Sequence, residues 1–270
     1  MKELAGKVVA ITGASSGIGL ALAAHFAEHG TRLALADVDE KGLRRTAGMI
    51  NRTGPAVSTH LVDVGDHAAV QRFAAEVQAI HGGADVIVNN AGVACMAAVE
   101  DATLDDFTWV LGVNLWGTIH GVKAFLPLLK QRPSGHIVNI ASVNAYLPFP
   151  RNGPYNVSKF GVDALSQTLM EEFRGSPIRI SCVYLGVAKT NIARHSRYAT
   201  DADATDFEGR ARLTPETAAR TILHGIKKDR EVIIVGLDAR AAAMARRVAP
   251  NLTRRALALA WERLAPSPMR

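Results

Sequence analysis

The sequence predicts an α/β fold, a single doubly wound parallel sheet with helices on both faces. Three observations carry that expectation. Short β-branched apolar runs alternate with helix-period patterns along almost all of a 270-residue chain. The runs are continuously apolar, as strands buried on both faces of a parallel sheet should be. The first run opens into a glycine-rich turn that leads straight into a helical pattern, as a βαβ unit begins.

In order along the chain, strands are expected at residues 8–11, 32–36, 57–62, 86–88, 136–140, 178–183 and 231–235. Helices are expected at 18–29, 40–52, 67–80, 104–129, 155–173 and 215–226. Thr103 with Asp106, and Thr214-Pro215-Glu216, supply helix N-terminal signals. Residues 190–213 break the rhythm, being polar, helix-ambiguous and long for a connection, so they form a candidate lid over a ligand. One domain is expected over residues 1–238, followed by a basic helical extension over 239–270.

Bulk properties narrow the function classes. Apolar residues make up 48% of the chain, enough for a sizeable core, yet no stretch approaches the ~20 apolar residues of a membrane span. The chain enters its first strand without a signal-like apolar region, which argues against export and for a cytoplasmic location. Cys95 and Cys182 are too few and too isolated to frame disulfides or a zinc site, and read as small core residues. The nine histidines show no metal-ligand spacing, and His195 in the candidate lid reads as a surface residue, so no metal is implied. The net charge of +6 belongs to residues 240–270, where seven arginines face one glutamate. That tail carries no aromatic-rich strand or recognition motif, which argues against nucleic acid as a partner.

Thr12-Gly13-Ala14-Ser15-Ser16-Gly17-Ile18-Gly19 is a turn in which glycines let the backbone bend and approach a pyrophosphate, with the following helix aiming N–H groups at it. Asp37 follows Gly17 by 20 residues at the end of the second apolar run, where a ribose-binding carboxylate belongs. Tyr155 and Lys159 stand four apart on one helix face. Such a pair is more often a solvated surface pair, so its meaning comes from the other motifs in register. The cofactor that suits Asp37 is NAD, because a carboxylate accepts both ribose hydroxyls but opposes the 2′-phosphate of NADP. Two unit charges ~4 Å apart at an effective dielectric of ~20 interact by about 4 kcal/mol. No Lys or Arg occurs inside the glycine-rich turn, where Ser15 and Ser16 stand, or directly after Asp37, where Val38 stands, and Arg44 and Arg45 fit a solvated helix face.

With Asn89-Asn90-Ala91-Gly92, Ser142 and the Tyr155/Lys159 pair in sequence after the glycine turn, the chain resembles the short-chain dehydrogenases/reductases over about residues 5 to 236. The resemblance implies a Rossmann-like domain that moves hydride between a nicotinamide and an alcohol or carbonyl. It implies Tyr155 as general acid/base, with Lys159 lowering its pKa and binding the nicotinamide ribose. Ser142 would hold the substrate oxygen, and Asn114 would anchor a water linking Lys159 to solvent. Gly13, Ser15, Ser16, Gly17, Ile18 and Gly19 would hold the phosphates, and Asp63 and Val64 the adenine. Asn90, Ala91 and Gly92 would line the riboses, while Gly186, Val187 and Thr190 would close over the carboxamide. Asn89 is left open between a cofactor contact and turn capping. The family usually has Pro-Gly where this chain reads Leu185-Gly186, a change that bears on loop stiffness and substrate fit and leaves the chemistry intact.

A mostly apolar pocket wall is expected from Val93, Val143, Tyr146, Leu147, Tyr184, Leu185 and the 190–213 segment, which suits an apolar secondary alcohol or ketone. The alternative is an NAD-binding scaffold or sensor without turnover. In the tail, helices are expected at 239–249 and 251–264, separated by Pro250, with Leu257, Ala260, Trp261 and Leu264 on one face. Packing on the same subunit or within a homo-oligomer (dimer or tetramer) is favoured over peripheral contact with an anionic membrane.

Overall fold

Seven strands, β1 (Val8–Thr12), β2 (Arg32–Asp37), β3 (Val57–Leu61), β4 (Val86–Asn89), β5 (Gly135–Ile140), β6 (Ile178–Leu185) and β7 (Val232–Val235), form one parallel sheet in the order β3-β2-β1-β4-β5-β6-β7. The computed structural model describes residues 1–50, 56–190, 192–194, 196–200, 205, 209 and 211–264, with side chains described as far as Leu259. The expected end of the second helix at Arg52, and His195 with much of the candidate lid, lie outside the described residues.

Burial on both sides explains the continuous apolar runs. Along β1, Val9 and Ile11 face a layer containing Leu22 and Phe26 of α1 (Gly17–Glu28), Leu43 of α2 (Glu40–Ile50) and Ile222 of α7 (Pro215–Lys227). Val8 and Ala10 face the other layer, with Phe73 of α3 (His67–His81), Phe125 of α5 (Gly117–Lys130) and Val162 of α6 (Gly153–Glu172). The jump from β1 to β4 creates the crevice at the strands' carboxyl ends where ligands of such sheets bind. Thr12, Asp37 and Asn89 are the last residues of their strands, at that carboxyl edge.

The single helix expected over 104–129 is not what forms. After α4 (Leu104–Leu111) the helix widens into a π-turn over Gly112–Trp116 before α5. Such a turn inserts one residue without disturbing the apolar pattern on either side, so periodicity does not register it. Asn114 sits at its centre, fully buried.

The C-terminal pair consists of α8 (Leu237–Val248) and α9 (Pro250–Leu264), and Pro250 is the first residue of α9, where its missing N–H costs nothing. Ala239, Ala242 and Leu257 pack against Val143, Tyr146, Leu147 and Phe149 of the same chain. Arg246 Nη1 adds a 2.9 Å hydrogen bond to the carbonyl of Tyr146. Leu237, Met244, Val248, Leu252 and Leu259 are left facing outward, and no described helix is long and apolar enough to cross a membrane. Deleting residues 239–270 is expected to lower Tm by roughly 5 °C, taking about 2 kcal/mol for the lost apolar contacts. An unchanged melting curve would show that the docked helices add no stability.

Candidate active site

The glycine-rich turn is pressed onto the end of β4. Gly13 and Gly17 have φ of 66° and 53°, in the left-handed region that favours glycine. A Cβ on Gly13 would lie 2.8 Å from Ala91 Cα, and one on Gly19 would lie 2.0 Å from the Gly13 carbonyl oxygen. The Asn90 amide donates to the carbonyls of Thr12 (2.9 Å) and Gly13 (3.0 Å). Thr12 Oγ1 in turn accepts from the backbone N–H groups of Asn90 (3.0 Å) and Ala91 (3.1 Å). Asn90 therefore spends its side-chain donors on pinning the turn, and its oxygens remain for the expected ribose contact. Asn89 resolves as structural: its Nδ2 donates to Asn139 Oδ1 at 2.9 Å, and Asn139 Nδ2 donates to Ser166 Oγ at 3.0 Å. Ser16 caps α1 without a side-chain hydrogen bond, so the first-turn N–H groups point uncovered into the crevice.

Asp37 Oδ2 accepts from the Ser15 N–H at 2.9 Å, and Oδ1 from the Asp39 N–H at 3.0 Å. The Ser15 N–H is thus committed to the carboxylate rather than free for a phosphate. Arg44 pairs with Glu40, and Arg45 lies 3.6 Å from Asp39, so both exposed guanidiniums are engaged on the helix surface. Asp63 Oδ1 accepts from the Gly65 N–H at 2.9 Å, and the carbonyl of buried Val64 accepts from His120 Nδ1 at 2.9 Å.

The first turns of α6 bring the proton-transfer candidates to the carboxyl end of β5. Lys159 is buried, donates to the Ile140 carbonyl at 2.8 Å, and has its Nζ 5.6 Å from the Tyr155 ring centroid. A Cβ on Gly92 would stand 3.7 Å from that Nζ. Ser142 Oγ accepts from the Asn144 N–H at 3.2 Å, and Asn144 Nδ2 reaches Asn156 Oδ1 on α6 at 2.8 Å, fixing the serine loop to the tyrosine helix. Asn114 Oδ1 accepts from the Val93 N–H at 2.8 Å, while Nδ2 donates to the Val93 carbonyl (3.0 Å) and Ser158 Oγ (2.9 Å). Ser158 Oγ donates to the Tyr155 carbonyl at 2.7 Å, so Asn114 steadies the turn that carries Tyr155.

Electrostatics differ from the sequence expectation. Burial pushes the Tyr155 phenol above its usual value, and the Ser142 hydroxyl pulls it back only in part. Burial acts on Lys159 as well, driving its pKa down to about 8. The pair is desolvated together, which penalises both charged forms.

On the substrate side, Val93 packs with Tyr155 and Trp109. Tyr184 is a correction: it is buried beneath Tyr146, stacked on it at 4.4 Å, and its hydroxyl donates to Asp163 at 2.5 Å, so it does not line a pocket. In the candidate lid, Arg197 pairs with Asp106 at 2.8 Å and lies 4.2 Å from the Trp109 ring centroid, and the Tyr198 hydroxyl donates to Asp106 at 2.9 Å. Arg197 and the Thr103 N–H hold the Asp106 carboxyl well below the usual carboxylate range. Thr190 lies over the glycine turn, its Cγ2 3.5 Å from a Cβ position on Gly17. Val187, expected with Gly186 and Thr190 to close over the carboxamide, donates its N–H to Asp238 Oδ2 at 2.7 Å. Asp238 escaped sequence reasoning because an acid in a helix's first turn looks like ordinary capping. A recess of about 260 Å³ lined by Met170, Arg174, Arg179, Asp229 and Glu231 lies at the opposite end of β6 and holds none of these groups.

The short chain dehydrogenase family model matches residues 7–201. The chain is a short-chain dehydrogenase/reductase. As such it is an oxidoreductase, and it shares the Rossmann-like sheet of its structural neighbours. It is 38% identical over 248 residues to a putative oxidoreductase, SadH, of Mycobacterium tuberculosis, covering 89% of this chain and 90% of that one. A short-chain dehydrogenase/reductase from Burkholderia phymatum, solved in complex with NAD, superposes with a TM-score of 0.87 at 33% identity, covering 94% of this chain and 97% of that one. An alcohol dehydrogenase from Thermococcus sibiricus, solved with 5-hydroxy-NADP, gives a TM-score of 0.76 at 28% identity over 84% of this chain and 95% of that one. A nicotinamide cofactor is common to these two solved relatives, one binding the NAD form and the other the NADP form.

Proposed function

We propose that this short-chain dehydrogenase/reductase moves hydride between NAD(H) and an apolar secondary alcohol or ketone. The observation that carries the reading is the buried Lys159 beside Tyr155 and Ser142, one strand end away from a glycine cradle with no room for a Cβ. The cradle and the uncovered first turn of α1 fit a pyrophosphate. Bound there, NAD supplies the hydride acceptor, and NADH the donor. Ser142 holds the substrate oxygen, and Tyr155 gives it a proton in reduction or takes one in oxidation. Lys159 stabilises the phenolate when the proton leaves, and Asn114 acts through Ser158 to keep Tyr155 in place. The wall of Val93, Val143, Tyr146 and Leu147 offers no fixed cation to a carboxylate or phosphate, which favours an uncharged substrate. Exposed Trp116, Val157 and Phe160 give a homo-oligomer an apolar surface to use.

Asp37 sets the cofactor. We expect at least about tenfold higher kcat/KM with NAD than with NADP, from the charge opposition at its carboxylate, and a narrower ratio in Asp37→Ala. Equal use of both cofactors by the unmodified chain would sink this assignment. A panel of secondary alcohols and ketones read by NADH absorbance tests the reaction itself. NADH binding without turnover on any of them would favour the scaffold reading.

A further inference from the structure

The cofactor crevice has a wall braced by the end of β7 and the first turn of α8. The Ala141 N–H donates to the Val183 carbonyl at 2.8 Å, which sets the end of β6 beside Ser142. From there residues 186–190 cross to Thr190 above Gly17. The loop therefore runs from the proton-transfer residues to the glycine turn, along the path a bound dinucleotide must follow. Its Gly186 N–H donates to the Val235 carbonyl at 2.8 Å, and its Val187 N–H to Asp238 at 2.7 Å.

Asp238 fits there because two glycines clear its seat. A Cβ on Gly186 would lie 2.1 Å from Asp238 Oδ1, and one on Gly236 would lie 2.4 Å from it. Gly236 also has φ of 105°, which side chains rarely tolerate. An acid in a first helical turn is ordinary as a complement to the helix dipole. That does not explain why the carboxylate turns back onto the loop, over two glycines, to take the Val187 N–H.

We propose that Asp238 makes the crevice discriminate between oxidation states of the cofactor, favouring the cationic nicotinamide of NAD+ over the neutral ring of NADH. The inference rests on the NAD-binding reading above. Asp238 acts as a positioning residue for Val187 and as a fixed negative charge at the nicotinamide end. Arg246 lies eight residues further along α8, about 12 Å away at the helical rise, and is engaged with the Tyr146 carbonyl. Its charge is largely screened at that distance.

The test compares Kd for NAD+ and for NADH, measured separately by calorimetric titration, in the unmodified chain, Asp238→Asn and Asp238→Glu. Asparagine keeps an acceptor for the Val187 N–H and removes the charge. The ratio Kd(NAD+)/Kd(NADH) should rise about fivefold in Asp238→Asn, the scale of an exposed charge pair, and stay near native in Asp238→Glu. A purely structural role would shift both constants together, and an unchanged ratio in Asp238→Asn overturns the proposal. If neither nucleotide binds the unmodified chain, the reading of the crevice fails and this inference falls with it.

Discussion

Replacing Tyr155 by Phe is expected to cut kcat by about a thousandfold while NADH binding stays near native, because the phenol's proton is lost and its ring is kept. The ring packs with Val93 and Trp109, contacts that phenylalanine preserves. Lys159→Ala should weaken both kcat and NADH binding, since on the proposed reading the ammonium serves the phenol and would also hold the ribose. A Tyr155→Phe protein with near-native kcat on a true substrate would remove the tyrosine from the mechanism. Lys159 also leaves a mark on stability. Its folded pKa of about 8 lies below the unfolded value, so between about pH 8 and 10.5 the unfolded state holds more protons. Relative to Lys159→Met, the native chain should therefore gain stability as pH rises through that window, by up to about 3 kcal/mol. At neutral pH the buried ammonium is a burden on the fold, which the methionine variant escapes at the expense of turnover. Chemical unfolding at pH 7 and pH 10 measures the difference, and parallel curves for the two proteins would contradict it.

Gly19→Ala is expected to weaken NADH binding at least about a hundredfold and to destabilise the chain by about 1–3 kcal/mol, the scale of an overpacked core. The new methyl would meet the Gly13 carbonyl oxygen at 2.0 Å and Asn90 Nδ2 at 2.7 Å. Neither neighbour can give way alone, since Asn90 holds the turn through Thr12 and Gly13. The turn must open, and the phosphate cradle opens with it. Gly48→Ala is the control: it lies on the exposed side of α2 with nothing within 4 Å of the added carbon. That change should leave binding untouched and stabilise the helix by roughly 0.5–1 kcal/mol. Native NADH affinity in Gly19→Ala would show that the cradle is not where the cofactor sits.

Much of the fold was legible because strand burial writes itself as unbroken apolar runs, and the strand ends carry Thr12, Asp37 and Asn89 one after another. The candidate Tyr155/Lys159 pairing was legible for a different reason: the two lie on one helix turn, where spacing fixes neighbourhood, and the fold puts Nζ 5.6 Å from the ring centroid. What escaped depends on direction or on environment. The apolar run Cys182 to Leu185 at the end of β6 does not say which face Tyr184 takes, and the sheet turns it into the core beneath Tyr146. The π-turn at Asn114 leaves the helical pattern intact on both sides. Only the folded chain reveals that the Asn90 amide turns back to the glycine loop. The Tyr155 pKa follows from desolvation, which no spacing encodes.

The seam between β1 and β4 also has a consequence for synthesis. Thr12 Oγ1 receives its two N–H groups from Asn90 and Ala91, and the Asn90 amide holds the Gly13 carbonyl in return. The two sides of this clasp are more than 75 positions apart in the chain. A nascent polypeptide emerging from the ribosome therefore carries its phosphate-binding turn long before the residues that lock it exist. Until β4 is released, the turn is an unsupported loop. Nucleotide can stabilise the growing chain only after β4 has cleared the exit tunnel, so early fragments must persist without help from their ligand.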